Sequence, residues 1–223
     1  MNWNSFDDTY SLENKLLLHI ASSLRISIKE NNEALVLLSI GLNSISLYKR
    51  FSEIKKVDWS KVKFGLVDER WSSDNYKDSN FCTISKALGN EIVEKSSLVP
   101  LVFDLDIEQN NISLAKSSNS LFLDEKTIVI LNVGKDGQIA SLFPNDETTE
   151  KAISQISPNI ISTTLSKKCI SHNLKSILNT KNIILYLKGE EHKLILNKAK
   201  KELLPLSYIL NSISTQVEIY WTK

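Results

Sequence analysis

Residues 127–144 read TIVILNVGKDGQIASLFP, an apolar β-branched run that ends in a turn of small residues carrying Asp136, Gly134, Gly137 and Gln138. That is the pattern of a buried strand feeding a loop that can carry chemistry. Residues 67–80 read VDERWSSDNYKDSN, and here Asp68, Glu69 and Arg70 directly follow a second apolar run. Two acids and an arginine at a strand end are wasteful unless they meet a ligand or each other. Carboxylates so placed can move a proton, and an arginine beside them can steady a developing negative charge. A third stretch, LLSIGLNSISLYKRF over 37–51, puts Ser39, Gly41, Asn43 and Ser44 in a strand–loop–helix turn. Backbone N–H groups and the start of a helix in such a turn can take a phosphate, and Asn43 or Ser44 can cap the helix. The fourth stretch, LKGEEHKLILNKAKKELLP over 187–205, places Lys193 in the first turn of a helix. A cation there opposes the helix dipole and becomes sensible if an anion binds.

The other reactive side chains are quieter. His19 falls in an apolar helix and reads as structural, His172 reads as an exposed residue of a polar helix, and His192 reads as a solvated helix residue. No metal-ligand spacing is present, so neither a metal site nor a cofactor is expected. No G-x-S-x-G elbow and no cysteine–histidine pairing points to a covalent nucleophile. Cys82 and Cys169 stand apart from each other and read as thiols of a reducing compartment.

The 127–144 stretch resembles the signature of the 6-phosphogluconolactonases, G-x-G-x-D-G-H-x-A-S-L-F-P. Gly134, Asp136, Gly137, Ala140, Ser141, Leu142, Phe143 and Pro144 match it. Asn132 stands at the first glycine and Gln138 at the histidine. Asp68, Glu69, Arg70, Trp71, Ser79 and Asn80 match the family's D-E-R-W…S-N pattern. Ser39, Gly41, Leu47 and Tyr48 match its S-G-G-S-T-P loop and following helix, with Ile40, Leu42, Asn43 and Ser44 in place of Gly, Ser, Thr and Pro. Gly189 and Lys193 are similar to its G-x-x-K, with one extra residue between them. The arginine of the family's R-[IV]-T strand falls near Ile160 and is absent, with Lys167 and Lys168 a few residues on.

The resemblance implies hydrolysis of 6-phospho-D-glucono-1,5-lactone. Asp136, Gln138, Asp68 and Arg70 would form the catalytic set. Ser39, Gly41, Asn43, Ser44, Arg70, Gly134, Gly137 and Lys193 would bind the sugar phosphate. Because glutamine cannot accept a proton near neutral pH, Asp68 or Asp136 is left as a direct base. Two other functions remain open: a sugar-phosphate-binding protein without turnover, and a glucosamine-6-phosphate isomerase or deaminase, which the ASLFP run disfavours.

Positioning these residues falls to alternating helices and strands. Leu12, Leu16, Ile20 and Leu24 recur every four residues, which predicts a helix. Strands are expected at 34–39, 62–67, 127–132, 160–165, 182–188 and 216–221. Helices are expected at 44–54, after Ser79, within 106–120, from Ser166 to Leu178, and at 190–203. Continuous apolar strands imply burial on both faces. The expected fold is therefore a three-layer, Rossmann-like α/β domain over 1–223 with a mainly parallel sheet. Ligands in such folds bind beyond the carboxyl ends of the strands. That points to 39–44, 68–71, 134–138 and 188–193.

Composition sets the outer bounds. The chain has 223 residues, 42% of them hydrophobic and 24% charged, with a net charge of +1. That balance argues against a nucleic-acid partner or an anionic membrane surface. No apolar run approaches the roughly 20 residues a bilayer span needs. The N-terminal MNWNSFDDTY lacks a basic region followed by an apolar stretch. A cytosolic protein, monomeric or weakly dimeric, is the expectation.

Overall fold

The computed structural model describes residues 1–41, 43–71, 78–103, 105–163 and 168–223. The strands are β1 (Asn2–Phe6), β2 (Ala34–Leu38), β3 (Val62–Leu66), β4 (Asp68–Arg70), β5 (Ser97–Val99), β6 (Lys126–Leu131), β7 (Ile160–Thr163), β8 (Cys169–His172), β9 (Thr180–Lys188) and β10 (Gln216–Thr222). The helices are α1 (Thr9–Asn31), α2 (Ser44–Lys49), α3 (Asn80–Leu88), α4 (Asn90–Lys95), α5 (Glu108–Ser118), α6 (Glu147–Ser154), α7 (Leu174–Leu178), α8 (Glu190–Glu202) and α9 (Pro205–Leu210).

Among the described residues, seven strands form one parallel sheet in the order β1-β10-β9-β6-β2-β3-β5. Alternate side chains of its central strands enter two separate cores. Val36, Ile128, Ile130 and Ile184 pack with Leu12, Leu16 and Ile20 of α1. Leu35, Leu37, Val129, Leu131 and Ile183 pack with Ile195 and Leu196 of α8 and Ile209 of α9. Burial on both faces explains why these strands read as unbroken apolar runs. The expected three-layer α/β architecture is what is found.

The chain runs outward from β2 through β3 to β5, then returns to β6 and runs outward again through β9 and β10. The loops after β2 and β6 therefore leave adjacent strands in opposite directions. Such a switch point opens a crevice at the carboxyl ends of the strands.

A small antiparallel sheet, β4-β8-β7, stands beside the main one. It corrects two expectations. The helix expected from Ser166 to Leu178 is a strand over Cys169–His172 followed by a short helix over Leu174–Leu178. Asn173, whose side chain accepts from the Ser176 N–H, caps that helix. Ser166 itself lies outside the described residues. His172 is consequently a fully buried strand residue, with Nδ1 2.7 Å from Ser176 Oγ. The strand expected at 160–165 is β7 of this small sheet, with residues 164 and 165 outside the described residues.

Candidate active site

Three residues of β4 split by the alternation of a strand. Asp68 and Arg70 share one face and Glu69 takes the other. Glu69 is 2% exposed and turns to the start of α3. Its carboxylate accepts from the N–H groups of Asn80 (2.7 Å) and Phe81 (2.8 Å) and from the Ser79 hydroxyl (2.9 Å). An acid at a helix N-terminus satisfies donors that have no partner within the helix. Glu69 thus fixes β4 against α3, and the Asn80 amide adds a bond to the Asp68 carbonyl (2.9 Å).

Asp68 and Arg70 line a cleft of about 570 Å³ at the carboxyl ends of the strands. The Asp68 carboxylate accepts a 2.6 Å hydrogen bond from Ser141 Oγ. Burial raises its pKa from the ordinary 3.8 to about 6, and the adjacent Glu69 pushes the same way, while Ser141 and Arg70 oppose them. Arg70 is exposed and donates to the Asp78 carbonyl at 3.3 Å.

The loop after β2 brings Ser39, Gly41 and Asn43 to the same cleft. Asn132, at the end of β6, ties this loop down. Its N–H donates to Ser39 Oγ (2.8 Å), and its side-chain amide donates to the Ser39 carbonyl (3.2 Å). A Cβ on Gly41 would lie 2.5 Å from Asn132 Oδ1, so a glycine is required beside this asparagine. The expected cap on α2 is not made by the Asn43 side chain. Ser44 instead folds back on Gly41, its Oγ accepting from Gly41 N–H (2.9 Å) and donating to Gly41 O (3.0 Å). Ser44 closes the loop from behind and is fully buried.

Behind the loop, Glu13 of α1 is 3% exposed and gathers Ser46 Oγ (2.6 Å), Tyr186 Oη (2.7 Å) and Arg50 Nη1 (3.3 Å). This hub pins α2 to β9, and Tyr186 reaches the cleft wall.

The loop after β6 contributes Gly134, Lys135 and Gln138 to the cleft. Asp136 is exposed, and its Oδ1 accepts the Gln138 N–H at 3.0 Å. It shapes the turn and is not among the residues lining the cleft. Gly137 adopts φ +84° and lies against Leu204, which a Cβ would approach to 2.6 Å. Gly137 is a bend rather than a wall, and its carbonyl accepts from Leu206 N–H (3.1 Å) at α9.

At β9, the helix α8 turns His192 toward the cleft and Lys193 away from it. Lys193 Nζ sits 3.3 Å above the centroid of the Trp221 ring and 3.5 Å from Glu190. His192 is half-buried rather than solvated, lines the cleft, and has Nε2 3.3 Å from the Val133 carbonyl. Its Nδ1 contacts the Lys188 carbonyl. Both ring nitrogens thus lie beside backbone carbonyls, which hold the ring in place at the cleft wall. Lys168 pairs with Glu108 (2.5 Å) and lies over Trp71, and Lys167 lies outside the described residues.

The cleft therefore gathers Ser39, Gly41, Asn43, Asp68, Arg70, Gly134 and Gln138 from the expected set, and leaves Ser44, Asp136, Gly137 and Lys193 outside its lining. It adds Ser141, Lys135 and His192. The signal for His192 was the spacing itself, since it falls three residues after Gly189, where a G-x-x-K pattern puts its cation.

A parallel α/β sheet with polar loops converging at its switch point defines a class of fold that binds its ligands at the strand ends. The family described as glucosamine-6-phosphate isomerases/6-phosphogluconolactonase matches residues 7–221. The chain is 28% identical over 204 residues to a 6-phosphogluconolactonase of Helicobacter pylori (strain ATCC 700392 / 26695), covering 88% of this chain and 87% of that one. It is 24% identical over 229 residues to one of Neisseria meningitidis serogroup A, covering 99% of each chain. A crystal structure of a 6-phosphogluconolactonase from Shewanella baltica OS155 superposes with a TM-score of 0.91 at 26% identity, covering 100% of this chain and 98% of that one. This chain belongs to the glucosamine-6-phosphate isomerase/6-phosphogluconolactonase family.

Proposed function

We propose that this chain hydrolyses 6-phospho-D-glucono-1,5-lactone to 6-phosphogluconate, with Asp68 as the base. The observation that carries the assignment is the Asp68 carboxylate in the cleft, its pKa raised to about 6 beside Arg70. A base with a pKa just below neutral is ionised at working pH and retains useful basicity. Water gives its proton to Asp68 as its oxygen adds to the lactone carbonyl. Arg70 steadies the negative charge that develops on the carbonyl oxygen. The tetrahedral intermediate then collapses, the bond to the ring oxygen breaks, and Asp68 returns the proton to that oxygen. Gln138 holds the water by hydrogen bonds, a role its carboxamide can fill without taking a proton. The phosphoryl end lies against Ser39, Gly41 and Asn43, with Lys135 supplying charge and the His192 ring offering a hydrogen-bonding nitrogen. In this reading Asp136 and Gly137 shape the loop, Ser44 braces it, and Lys193 stays on Trp221.

The same reading makes residues 1–223 one catalytic domain, working in the cytosol as a monomer or weak homodimer without metal or organic cofactor. No helix among the described residues is long and apolar enough to cross a membrane. Gln138, standing at the position of the family's histidine, favours a second reading, a sugar-phosphate binder without turnover.

The test is hydrolysis of fresh lactone, coupled to 6-phosphogluconate dehydrogenase and corrected for the spontaneous rate. The expected result is an enzymatic rate that Asp68→Asn lowers by roughly 10²–10⁴-fold and that Arg70→Ala also lowers sharply. Heat stabilisation by 6-phosphogluconate with no rate above background would select the binding protein.

A further inference from the structure

The Asp68 carboxylate has two oxygens, and the fold uses only one. Oδ2 is held by Ser141 at 2.6 Å, and Oδ1 has no hydrogen bond among the described residues. Ser141 comes from the loop that carries Gln138, not from β4, so this bond ties two walls of the cleft together. Its placement is built rather than incidental. Ala140 adopts φ +52°, a left-handed conformation that a residue with a Cβ holds only when its surroundings enforce it. Ile139 and Leu142, either side of Ala140 and Ser141, are fully buried in the lower core, and Leu142 N–H closes the turn on Ile139 O at 2.9 Å. Ser141 is 2% exposed.

We propose that Ser141 is a positioning residue for the lactone hydrolysis: its hydroxyl clamps one oxygen of the Asp68 carboxylate and leaves the other to receive the proton of the attacking water. The proposal rests on the lactonase reading above. A hydroxyl that donates to a carboxylate favours its charged form. The other titratable groups that act on Asp68 are Arg70 on the same face of its strand, Glu69 on the opposite face, and the Cys169 thiol of β8. The Glu69 carboxylate is engaged at α3, and burial pushes the Cys169 thiol up, which keeps it uncharged. Lys135 and His192 lie further round the cleft. Among the described residues, Ser141 is thus the neutral donor that offsets the burial of Asp68.

Two measurements on wild type, Ser141→Ala and Ser141→Thr test this. The first is the pH profile of kcat/KM for the lactone. The second is the carboxyl titration of Asp68 by ¹³C NMR, assigned by its disappearance in Asp68→Asn. Ser141→Ala is expected to move the titration and the acidic limb upward together by about one pH unit. That shift appears as a roughly tenfold loss of kcat/KM at pH 5.5 that shrinks toward alkaline pH, with KM little changed. Ser141→Thr, which keeps the hydroxyl, is expected to restore both. Loss of rate by the same factor at every pH, or an acidic limb that stays put while the Ala variant turns over, would overturn the proposal. A wild-type protein with no turnover would remove the lactonase reading instead, and the titration would still report whether Ser141 sets the charge of Asp68.

Discussion

A carboxamide at position 138 can hold a water but cannot accept its proton, so the proposed mechanism gives the proton transfer to Asp68. Gln138→His is therefore expected to raise kcat by no more than about tenfold, since a second base joins one already present; the coupled lactone assay measures it. A gain from zero to a clear rate would mean that Asp68 does not act as the base. Asp68 also carries a stability cost. Its pKa is raised to about 6 from 3.8, so the folded state binds its proton more tightly than the unfolded state does. The Asp68 contribution to stability is therefore most favourable below about pH 4 and is lost as pH climbs through 6. Asp68→Asn should raise the melting temperature at pH 7.5 by a few degrees and leave it nearly unchanged at pH 4, while lowering activity. Thermal melts at the two pH values give the answer. At this scale the DER run was legible as a site because charge at a strand end needs a reason. The division of labour within it was not, because Glu69 meets Ser79, Asn80 and Phe81 through a tertiary contact that no local pattern announces. Lys193 drew attention as a cation in a first turn, and the side chain that faces the cleft is its neighbour His192.

The element that the sequence hid best is β8. Ile170 and Leu174 lie four apart and mimic a helix face, but a single matching pair is weak support. Cys169–His172 pairs instead with β4, in register Asp68↔Ser171 and Arg70↔Cys169, and with β7. Strand β8 therefore supports β4, whose Asp68 and Arg70 line the cleft. Its last residue carries a consequence for acid stability. His172 is buried, with Nε2 lacking a hydrogen-bond partner among the described residues, and burial, aided by Lys126, lowers its pKa from 6.5 to about 3. The unfolded chain binds a proton at this site below pH 6.5 and the folded chain does not. The His172 contribution to stability is fully present above that pH and is lost as pH falls from 6.5 toward 3. His172→Gln should flatten that decline, read as the urea midpoint at pH 7 and pH 4.5, with a modest loss at pH 7 from repacking. The central elements were legible throughout: α1 from its four-residue spacing, and β2, β3, β6, β9 and β10 from their apolar runs. β1, β4, β5 and α9 were not. They offer no sustained apolar run, and tertiary pairing decides their state.

At the scale of the whole molecule, the net charge of +1 leaves little long-range field to draw in an anionic substrate. Recognition is left to the cleft's own cations, which act over short distances. The value of kcat/KM should accordingly fall by less than about threefold between roughly 0.01 and 0.15 M salt, far from the steep loss of an electrostatically steered encounter. Initial rates at several salt concentrations check this. The two-core architecture was legible because strands buried on both faces leave an unbroken apolar signature. The small sheet was not, since it depends on residues 68–70 finding residues 169–171. A longer-range pairing sets the order in which the molecule can be made. β1 lies at the edge of the sheet against β10 in parallel, Asn2 opposite Glu218 through Phe6 opposite Thr222. Asn2 and Asn4 bond the Glu218 carboxylate at 2.6 and 3.1 Å. During translation, β1 leaves the ribosome well before β10 and must wait for it before the two can be hydrogen-bonded. Nascent chains stalled before residue 216 should therefore keep an open amino-terminal segment that protease cuts, and only release of the finished strand should close it.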